Sequence, residues 1–190
     1  MSDSRRGDLV ELLDQYRASE PSEQQSLTQM RGFASSLSEP CSRYQVTAHF
    51  TASALVMDPE LTRVCLVHHA RFDRWLQPGG HIEPDDDTVA AAALREAHEE
   101  TSCQVVLHPT AGDPFDVDVH EIGARGAEAA HLHLDIRFLV VAENPNALAH
   151  RPDESHGAEW LTFDQAVRRC DERSLARMLE KARAIADSGP

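Results

Sequence analysis

Three glutamates, Glu96, Glu99 and Glu100, lie close together in the sequence and could do chemistry as a group. At about 100° per residue in an α-helix, Glu99 lies roughly 60° to one side of Glu96, and Glu100 lies roughly 40° to the other. The three carboxylates therefore share one helical face. Two unit charges about 4 Å apart repel by on the order of 4 kcal/mol at an effective dielectric constant near 20. A divalent cation can relieve this repulsion, and ligands that are all oxygen favour Mg²⁺ or Mn²⁺ over zinc.

The glutamates end a stretch, residues 79–103, that contains a double glycine, an acidic loop and an alanine run. This stretch resembles the Nudix box, G-x5-E-x7-R-E-U-x-E-E-x-G-U, in which U is a bulky apolar residue. The matching residues are Gly80, Arg95, Glu96, Glu99 and Glu100. The sequence departs from the pattern at four positions. Asp87 replaces the first glutamate, and six residues instead of five separate it from Gly80. Ala97 and Cys103 occupy the two U positions, and Ser102 replaces the second glycine.

The resemblance implies an α/β fold, the Nudix-like α/β/α sandwich with a mixed β-sheet on which the box helix packs. It also implies hydrolysis of a diphosphate linkage in a nucleoside diphosphate derivative, by water attack at phosphorus. In such an enzyme Mg²⁺ or Mn²⁺ would be held by Glu96, Glu99 and Glu100, together with the carbonyl of Gly80. Arg95 would brace the loop through Asp87.

A turn-rich loop, residues 144–157, is long enough to be functional. Nudix enzymes often draw an extra carboxylate from such a loop, and Glu154 is the first candidate and Asp153 the second. A solvated loop acid is the alternative. The resemblance thus predicts Glu96, Glu99, Arg95 and Glu154 as catalytic residues, with either a box glutamate or a loop acid as the general base.

Two segments with period-two alternation indicate strands that could pair as a hairpin. The polar face of the first carries Asp116, Asp118 and His120, and that of the second carries His131, His133, Asp135 and Arg137. Two histidines at i and i+2 could hold a transition metal. They could equally contact a substrate whose phosphate binds Arg137, or be structural groups satisfied by the aspartates. We favour substrate contact. Arg71 and Arg74 lie near the box, and one of them, Arg74 being our candidate, could contact a phosphate; a solvated loop arginine is the equal alternative.

The 190-residue length predicts one domain with an appendage. Apolar residues at helical spacing predict a helical hairpin from helices at 8–16 and 22–37, so we divide the chain into an N-terminal helical extension, 1–43, and a Nudix domain, 44–190. The extension could cap one edge of the domain or form a homodimer contact.

The formal net charge of −14 argues against a basic surface for extended nucleic acid. Residues 1–6 lack the apolar stretch that follows the basic start of a secretory signal, and no segment is apolar enough for a membrane span. The four scattered cysteines fit reduced thiols. We therefore expect a cytoplasmic protein that acts on a small-molecule nucleotide or another diphosphate and has no membrane partner.

The remaining elements follow from local patterns. Strands are predicted at 44–57, 63–69 and 105–107, with a break in the pattern at 70–78. Asp86 or Asp87 could cap the box helix. The T-x-x-Q sequence at 162–165 predicts a capping box, and an amphipathic helix at 172–187 closes the chain.

Other functions remain open from the sequence. A Nudix-fold protein that binds a nucleotide without cleaving it is the main alternative, because the altered loop could misplace Gly80. An isopentenyl diphosphate isomerase is disfavoured because no cysteine lies in a matching motif, and a purely structural domain is disfavoured by the intact R-E-x-x-E-E sequence. The S-Q-P-W-P signature of relatives that cleave NADH is absent.

Overall fold

A computed structural model describes residues 4–111, 113–126 and 129–188. Its helices are α1 (Ser4–Gln15), α2 (Pro21–Ser36), α3 (Val89–Thr101), α4 (Phe163–Arg169) and α5 (Arg173–Ser188), with a short 3-10 helix at Pro145–Ala147. Its strands are β1 (Ala48–Met57), β2 (Arg63–His69), β3 (Arg74–Leu76), β4 (Gly79–His81), β5 (Val105–Leu107), β6 (Asp116–Ile122), β7 (His131–Ala142) and β8 (Ser155–Thr162). Within the described ranges, no helix is both long enough and apolar enough to cross a membrane.

The strands are hydrogen-bonded in the order β3-β2-β1-β7-β5, while β4 pairs with β1, β6 with β7 and β8 with β2. The predicted α/β class is therefore confirmed. The chain divides into two compact units, which are described separately. The first takes the described parts of Met1–Ala52, Gly80–Ala93 and Gly112–Phe138, and the second takes those of Ser53–Gly79, Leu94–Ala111 and Leu139–Pro190.

In the first unit, the predicted N-terminal hairpin is confirmed as α1 and α2. Pro21 stands in the first turn of α2, where its missing N–H removes no helical hydrogen bond. The apolar faces are buried, with Leu9 and Met30 inaccessible to solvent. α1 also reaches the box helix, because the Asp8 carboxylate accepts the N–H of Val89 at 2.7 Å. The extension thus supports the start of α3.

The same unit contains the β6–β7 hairpin, which confirms the predicted antiparallel pair and supplies its register. Asp116 lies opposite Arg137, Asp118 opposite Asp135, and His120 opposite His133. Because cross-strand partners point to the same side of the sheet, these polar side chains form one face.

In the second unit, β2 is the central strand. It pairs antiparallel with β1, β3 and β8, and its Val64, Cys65 and Leu66 are fully buried. The predicted capping box opens α4, since Thr162 accepts the N–H of Gln165 and the Gln165 side chain accepts the N–H of Thr162. The described cysteines are free, as expected.

Several predicted boundaries and one predicted helix cap were wrong. The first strand begins at Ala48 and not at Tyr44, and Tyr44 is 86% exposed. The segment 70–78 includes the short strand β3, and the double glycine belongs to β4. The cap of α3 is Thr88, which accepts the N–H of Ala91 at 3.0 Å. Asp86 instead accepts the N–H of Glu83 at 2.8 Å, within the preceding loop.

Candidate metal and active site

The last two turns of α3 present the box residues predicted from the sequence. Arg95 donates to Glu96 at 2.9 Å and to Glu99 at 3.2 Å. Glu100 is 8% exposed and accepts the N–H of Gly79 at 3.4 Å. The alanine run before them has small side chains, of which Ala92, Ala93 and Ala97 are completely buried. A helix with such a face packs closely, which leaves its glutamates at the boundary between core and solvent.

The loop before β8 brings Glu154 to the same place. Burial is the largest cause that raises the pKa of Glu96 and Glu100, and the negative charge of Glu154 adds to it. Glu154 also lies 3.4 Å from Arg151. We call Glu96, Glu99, Glu100 and Glu154 the carboxylate cluster.

Arg151 was not predicted as a site residue. It donates to Glu99 at 3.0 Å and to Asp153 at 3.3 Å, so it connects the box helix to the loop. Its sequence position, three residues before Glu154, is the only signal that could have suggested it. The side chain of Asp153 is 69% exposed, and its role as the second candidate stays a prediction.

Burial dominates the electrostatics of this cluster. It raises the pKa of Glu100 to about 8; the Gly79 N–H opposes this rise, and the charges of Glu96 and Glu154 add to it. Burial also raises the pKa of Glu96, although the Arg95 guanidinium opposes it. Without a cation, the protonated form of Glu100 is favoured at neutral pH. A cation bound at the cluster would favour the ionised forms of Glu96 and Glu100.

Gly80 and Asp87 belong to the first unit, whereas the carboxylate cluster belongs to the second. The metal-binding role of the Gly80 carbonyl and the contact of Asp87 with Arg95 stay predictions. Arg74 lies in the second unit, where it is paired with Asp171 at 3.3 Å and Glu172 at 3.1 Å. Its predicted phosphate contact also stays a prediction.

Arg137 is at the centre of a buried ionic network in the first unit. Its side chain is 1% exposed and lies 2.8 Å from Asp135, 3.2 Å from Asp118 and 3.6 Å from Asp116. Burial acts to lower the pKa of Arg137, but the three aspartates raise it overall. Asp135 also accepts a hydrogen bond from Thr51 at 3.1 Å. The predicted substrate contacts of Asp135 and Arg137 remain untested, and their burial favours the structural alternative.

His131 and His133, also predicted to contact substrate, lie among other imidazole rings. The centroid of the His49 ring is 4.9 Å from that of His131 and 4.8 Å from that of His133. His81 and His120 are neighbours of this group. We call His49, His81, His120, His131 and His133 the histidine cluster. The sequence showed His131 and His133 on one strand face, but not that His49 would join them.

Comparison with known proteins gives a family match over most of the chain. A family model described as the NUDIX domain matches residues 47–182. No curated protein matches the chain.

Several solved structures are similar. The binary complex of a C. elegans Ap4A hydrolase has 18% identity and a TM-score of 0.55, with 73% of this chain and 98% of that chain covered. A NUDIX family hydrolase from Clostridium perfringens has 21% identity and a TM-score of 0.53, with 72% and 97% covered. The E. coli dihydroneopterin triphosphate pyrophosphohydrolase has 16% identity and a TM-score of 0.54, with 70% and 92% covered. At these identities the similarity shows a shared fold, which confirms the predicted Nudix-like fold.

Proposed function

The chain belongs to the NUDIX domain family, and we propose that it is a metal-dependent hydrolase that cleaves a diphosphate linkage in a nucleoside diphosphate derivative. The observation that carries the proposal is the carboxylate cluster. It combines three carboxylates of α3 with that of Glu154, and Arg95 and Arg151 lie beside it. Such a site can attract cations and anionic phosphates together.

The donor chemistry of the cluster fits Mg²⁺ or Mn²⁺. Glu96, Glu99 and Glu100 would hold the ion, because carboxylate oxygens are the ligands that hard cations prefer. A bound cation would stabilise the charged forms of Glu96 and Glu100, whose pKa values burial raises. A bound ion would neutralise diphosphate charge and lower the pKa of a water molecule.

The side chains of the cluster have separate tasks in the proposed reaction. Water attacks phosphorus, its proton passes to a carboxylate, and the phosphorus–oxygen bond to the leaving phosphate breaks with the electron pair staying on that phosphate. Glu99 and Glu154 are the candidates for the proton acceptor, and Arg151 contacts both at 3.0 and 3.4 Å. Arg95 orients Glu96 and Glu99. The general base must lie within hydrogen-bond reach of the attacking water.

A substrate screen tests this function. The purified protein is assayed against ADP-ribose, nucleoside triphosphates, dinucleoside polyphosphates, sugar nucleotides and coenzyme A, with Mg²⁺ and Mn²⁺ in separate reactions. We expect release of phosphate-containing products from at least one class, and none in excess EDTA. The names of the C. elegans and E. coli relatives are a reason to include dinucleoside polyphosphates and triphosphates, and they do not select between them.

Variants identify the residues responsible. Glu99→Gln and Glu100→Gln should each lower metal-dependent turnover by about 100-fold or more while the protein stays folded. Glu180→Gln, which removes an exposed carboxylate of α5, is the matched control and should keep full turnover. Full activity in both Glu99→Gln and Glu100→Gln would contradict the assignment of the carboxylate cluster as the active site. If Glu154→Gln loses turnover as well, comparison of its pH–rate profile with that of Glu99→Gln identifies the base.

A nucleotide-binding protein without turnover is the second candidate. Glu96 is paired with Arg95, and Glu99 is paired with Arg151. This arrangement suits an anionic ligand that displaces those ion pairs. Saturable binding of a diphosphate with no product release for any member of the panel would favour it.

The location and assembly of the protein complete the proposal. A cytoplasmic location is supported by four free cysteines, three of which are buried. The small-molecule substrate class follows from the family. A homodimer formed through the N-terminal hairpin stays a prediction, which the molecular mass in solution can test.

A further inference from the structure

The histidine cluster is a group of donors that the proposed hydrolysis does not use. Its members come from separate elements of the first unit: β1 carries His49, β4 carries His81, β6 carries His120, and β7 carries His131 and His133. The rings of His49, His131 and His133 all lie with their centroids between 4.8 and 5.1 Å of one another. Strands far apart in sequence therefore place three imidazoles around one point.

Two of these rings have a defined tautomer. His131 Nδ1 lies 2.9 Å from the carbonyl oxygen of Ala129, and His49 Nδ1 lies 3.4 Å from that of Gln45. A carbonyl oxygen can only accept a hydrogen bond, so Nδ1 carries the proton on both rings. In a neutral imidazole, Nε2 then carries the lone pair. A hydrogen bond from the second ring nitrogen to a carbonyl is the usual support of a metal-binding histidine.

Two rings of the cluster are almost completely buried. His49 is 2% exposed and His131 is 6% exposed. Burial lowers the pKa of His133 to about 2, and the neighbouring imidazoles His120, His49, His81 and His131 lower it further. Neutral imidazole is the form that binds metal ions. A metal ion held by His49 and His131 would therefore lie at a largely buried position.

The aspartates of the same hairpin are committed elsewhere. Asp116, Asp118 and Asp135 all pair with Arg137, and Asp118 also lies 3.2 Å from His120 Nδ1. His120 thus pairs with a carboxylate, whereas the rings of His49, His131 and His133 are grouped with one another. This separates a nitrogen-rich end of the hairpin from a charged end.

We propose that His49, His131 and His133 form a binding site for a first-row transition-metal ion, with Zn²⁺ as its representative. One ring nitrogen from each residue lies within 4.8 Å of the others. In tetrahedral zinc coordination, with Zn–N distances of about 2.0–2.1 Å, ligand nitrogens are about 3.3 Å apart. Side-chain rotations that move each nitrogen by about 1 Å close this gap. Three imidazoles select Zn²⁺, Ni²⁺ or Cu²⁺ over Mg²⁺, which prefers oxygen ligands.

Zinc titration of the full chain tests the proposal. The protein is stripped with a chelator and titrated calorimetrically with Zn²⁺ in the presence of millimolar Mg²⁺, which competes at the carboxylate cluster. We expect one Zn²⁺ per chain, and an affinity about 100-fold lower in His131→Gln and in His133→Gln. His156→Gln, which changes an exposed histidine outside the cluster, is the matched control and should bind like the wild type.

Two further measurements keep the test decisive if a buried variant fails to fold. Far-UV circular dichroism of each metal-free variant reports whether it folds. His133→Gln is the variant to rely on, because His133 is only half-buried whereas His49 and His131 are buried. X-ray absorption at the zinc edge needs no variant and should show about three nitrogen neighbours at about 2.0–2.1 Å. Absence of stoichiometric Zn²⁺ binding, equal binding by His133→Gln and His156→Gln, or a shell of oxygen alone would each overturn the proposal. So would the finding that His133→Gln weakens only diphosphate binding, which would assign the cluster to the substrate.

Discussion

The carboxylate cluster and the histidine cluster respond to burial in opposite chemical directions. Burial raises the pKa of Glu100 to about 8 and lowers that of His133 to about 2, because in both cases it disfavours the charged form. A cation placed at the carboxylates restores their charge, whereas a cation placed at the imidazoles leaves them neutral. Desolvation is thus the shared cause of both shifts, and under our two proposals it precedes the binding of a hard cation in one region and of a transition metal in the other.

The two clusters also differ in the groups that contact them: arginine side chains contact the carboxylates, and backbone carbonyls contact two of the imidazoles. Arg95 and Arg151 pair with carboxylates of the first cluster, and the side chain of Arg151 is 37% exposed. Backbone carbonyls hold His49 and His131 through Nδ1. In the proposed function a cation or a phosphate would take the place of these arginines, whereas in the proposed zinc site small ring rotations would bring the nitrogens together.

The largest expected effect tests the charged end of the β6–β7 hairpin. Arg137→Met should lower the free energy of unfolding by about 3–5 kcal/mol, because it leaves the buried Asp116 and Asp135 and the partly exposed Asp118 without their shared cation. Chemical denaturation measures this value. Arg183→Met, which breaks an exposed pair with Asp164, should cost about 1 kcal/mol or less. Unchanged stability of Arg137→Met with weakened diphosphate binding would instead return Arg137 to its predicted substrate role.

The next prediction concerns the pH dependence of stability that follows from the raised pKa of Glu100. Because the folded-state pKa of Glu100 is raised from 4.5 to about 8, its contribution to stability is fully present below pH 4.5 and is lost as the pH rises toward 8. Glu100→Gln stays neutral, so in EDTA it should gain about 2–4 kcal/mol relative to the wild type between pH 4.5 and pH 8. Urea unfolding at both pH values measures the difference, with Glu180→Gln as the control for loss of a negative charge. A pH-independent difference would contradict the account.

A smaller effect concerns the arginine that joins the box helix to its loop. Arg151→Ala should lower kcat/KM about 10-fold, or about 1.4 kcal/mol, since Glu99 and Glu154 lose their common partner. Steady-state kinetics on the substrate found by the screen measure it. Arg169→Ala is a matched control, because its side chain is 36% exposed and pairs with Glu159, away from the cluster. Equal kinetics for the two variants would remove Arg151 from the site.

The smallest expected effect is a change in stability without a change in turnover, at Ser102. Ser102 stands where the Nudix box has its second glycine, and its φ of 59° lies in the left-handed region that favours glycine. Ser102→Gly should raise the free energy of unfolding by about 0.5–1 kcal/mol and leave turnover unchanged. Ser102→Ala keeps the unfavourable backbone and should give no gain. A gain in turnover from Ser102→Gly would show that this departure affects the chemistry.

The carboxylate cluster was easier to predict from the sequence than the histidine cluster. Helical spacing places Glu96, Glu99 and Glu100 on one face without knowledge of the rest of the chain, and the loop position indicated Glu154. Period-two alternation likewise showed that His131 and His133 share a face. It did not show the register that sets His120 opposite His133, because alternation defines faces and not partners.

The residues that were missed come from tertiary contacts. His49 joins the histidines from β1, and Asp8 supports the start of α3 from the N-terminal helix. Arg151 reaches Glu99 across 52 positions of sequence. No local pattern contains such contacts, because they depend on how the elements pack.

Binding of two metals to two variants tests the contrast between the clusters most directly. Mn²⁺ binding, followed by electron paramagnetic resonance, and Zn²⁺ binding, followed by calorimetry, are measured on Glu99→Gln and His133→Gln. The account predicts a crossed result, in which Glu99→Gln loses Mn²⁺ and keeps Zn²⁺, while His133→Gln keeps Mn²⁺ and loses Zn²⁺. Loss of both ions from either variant, or unchanged Mn²⁺ binding by Glu99→Gln, would contradict it.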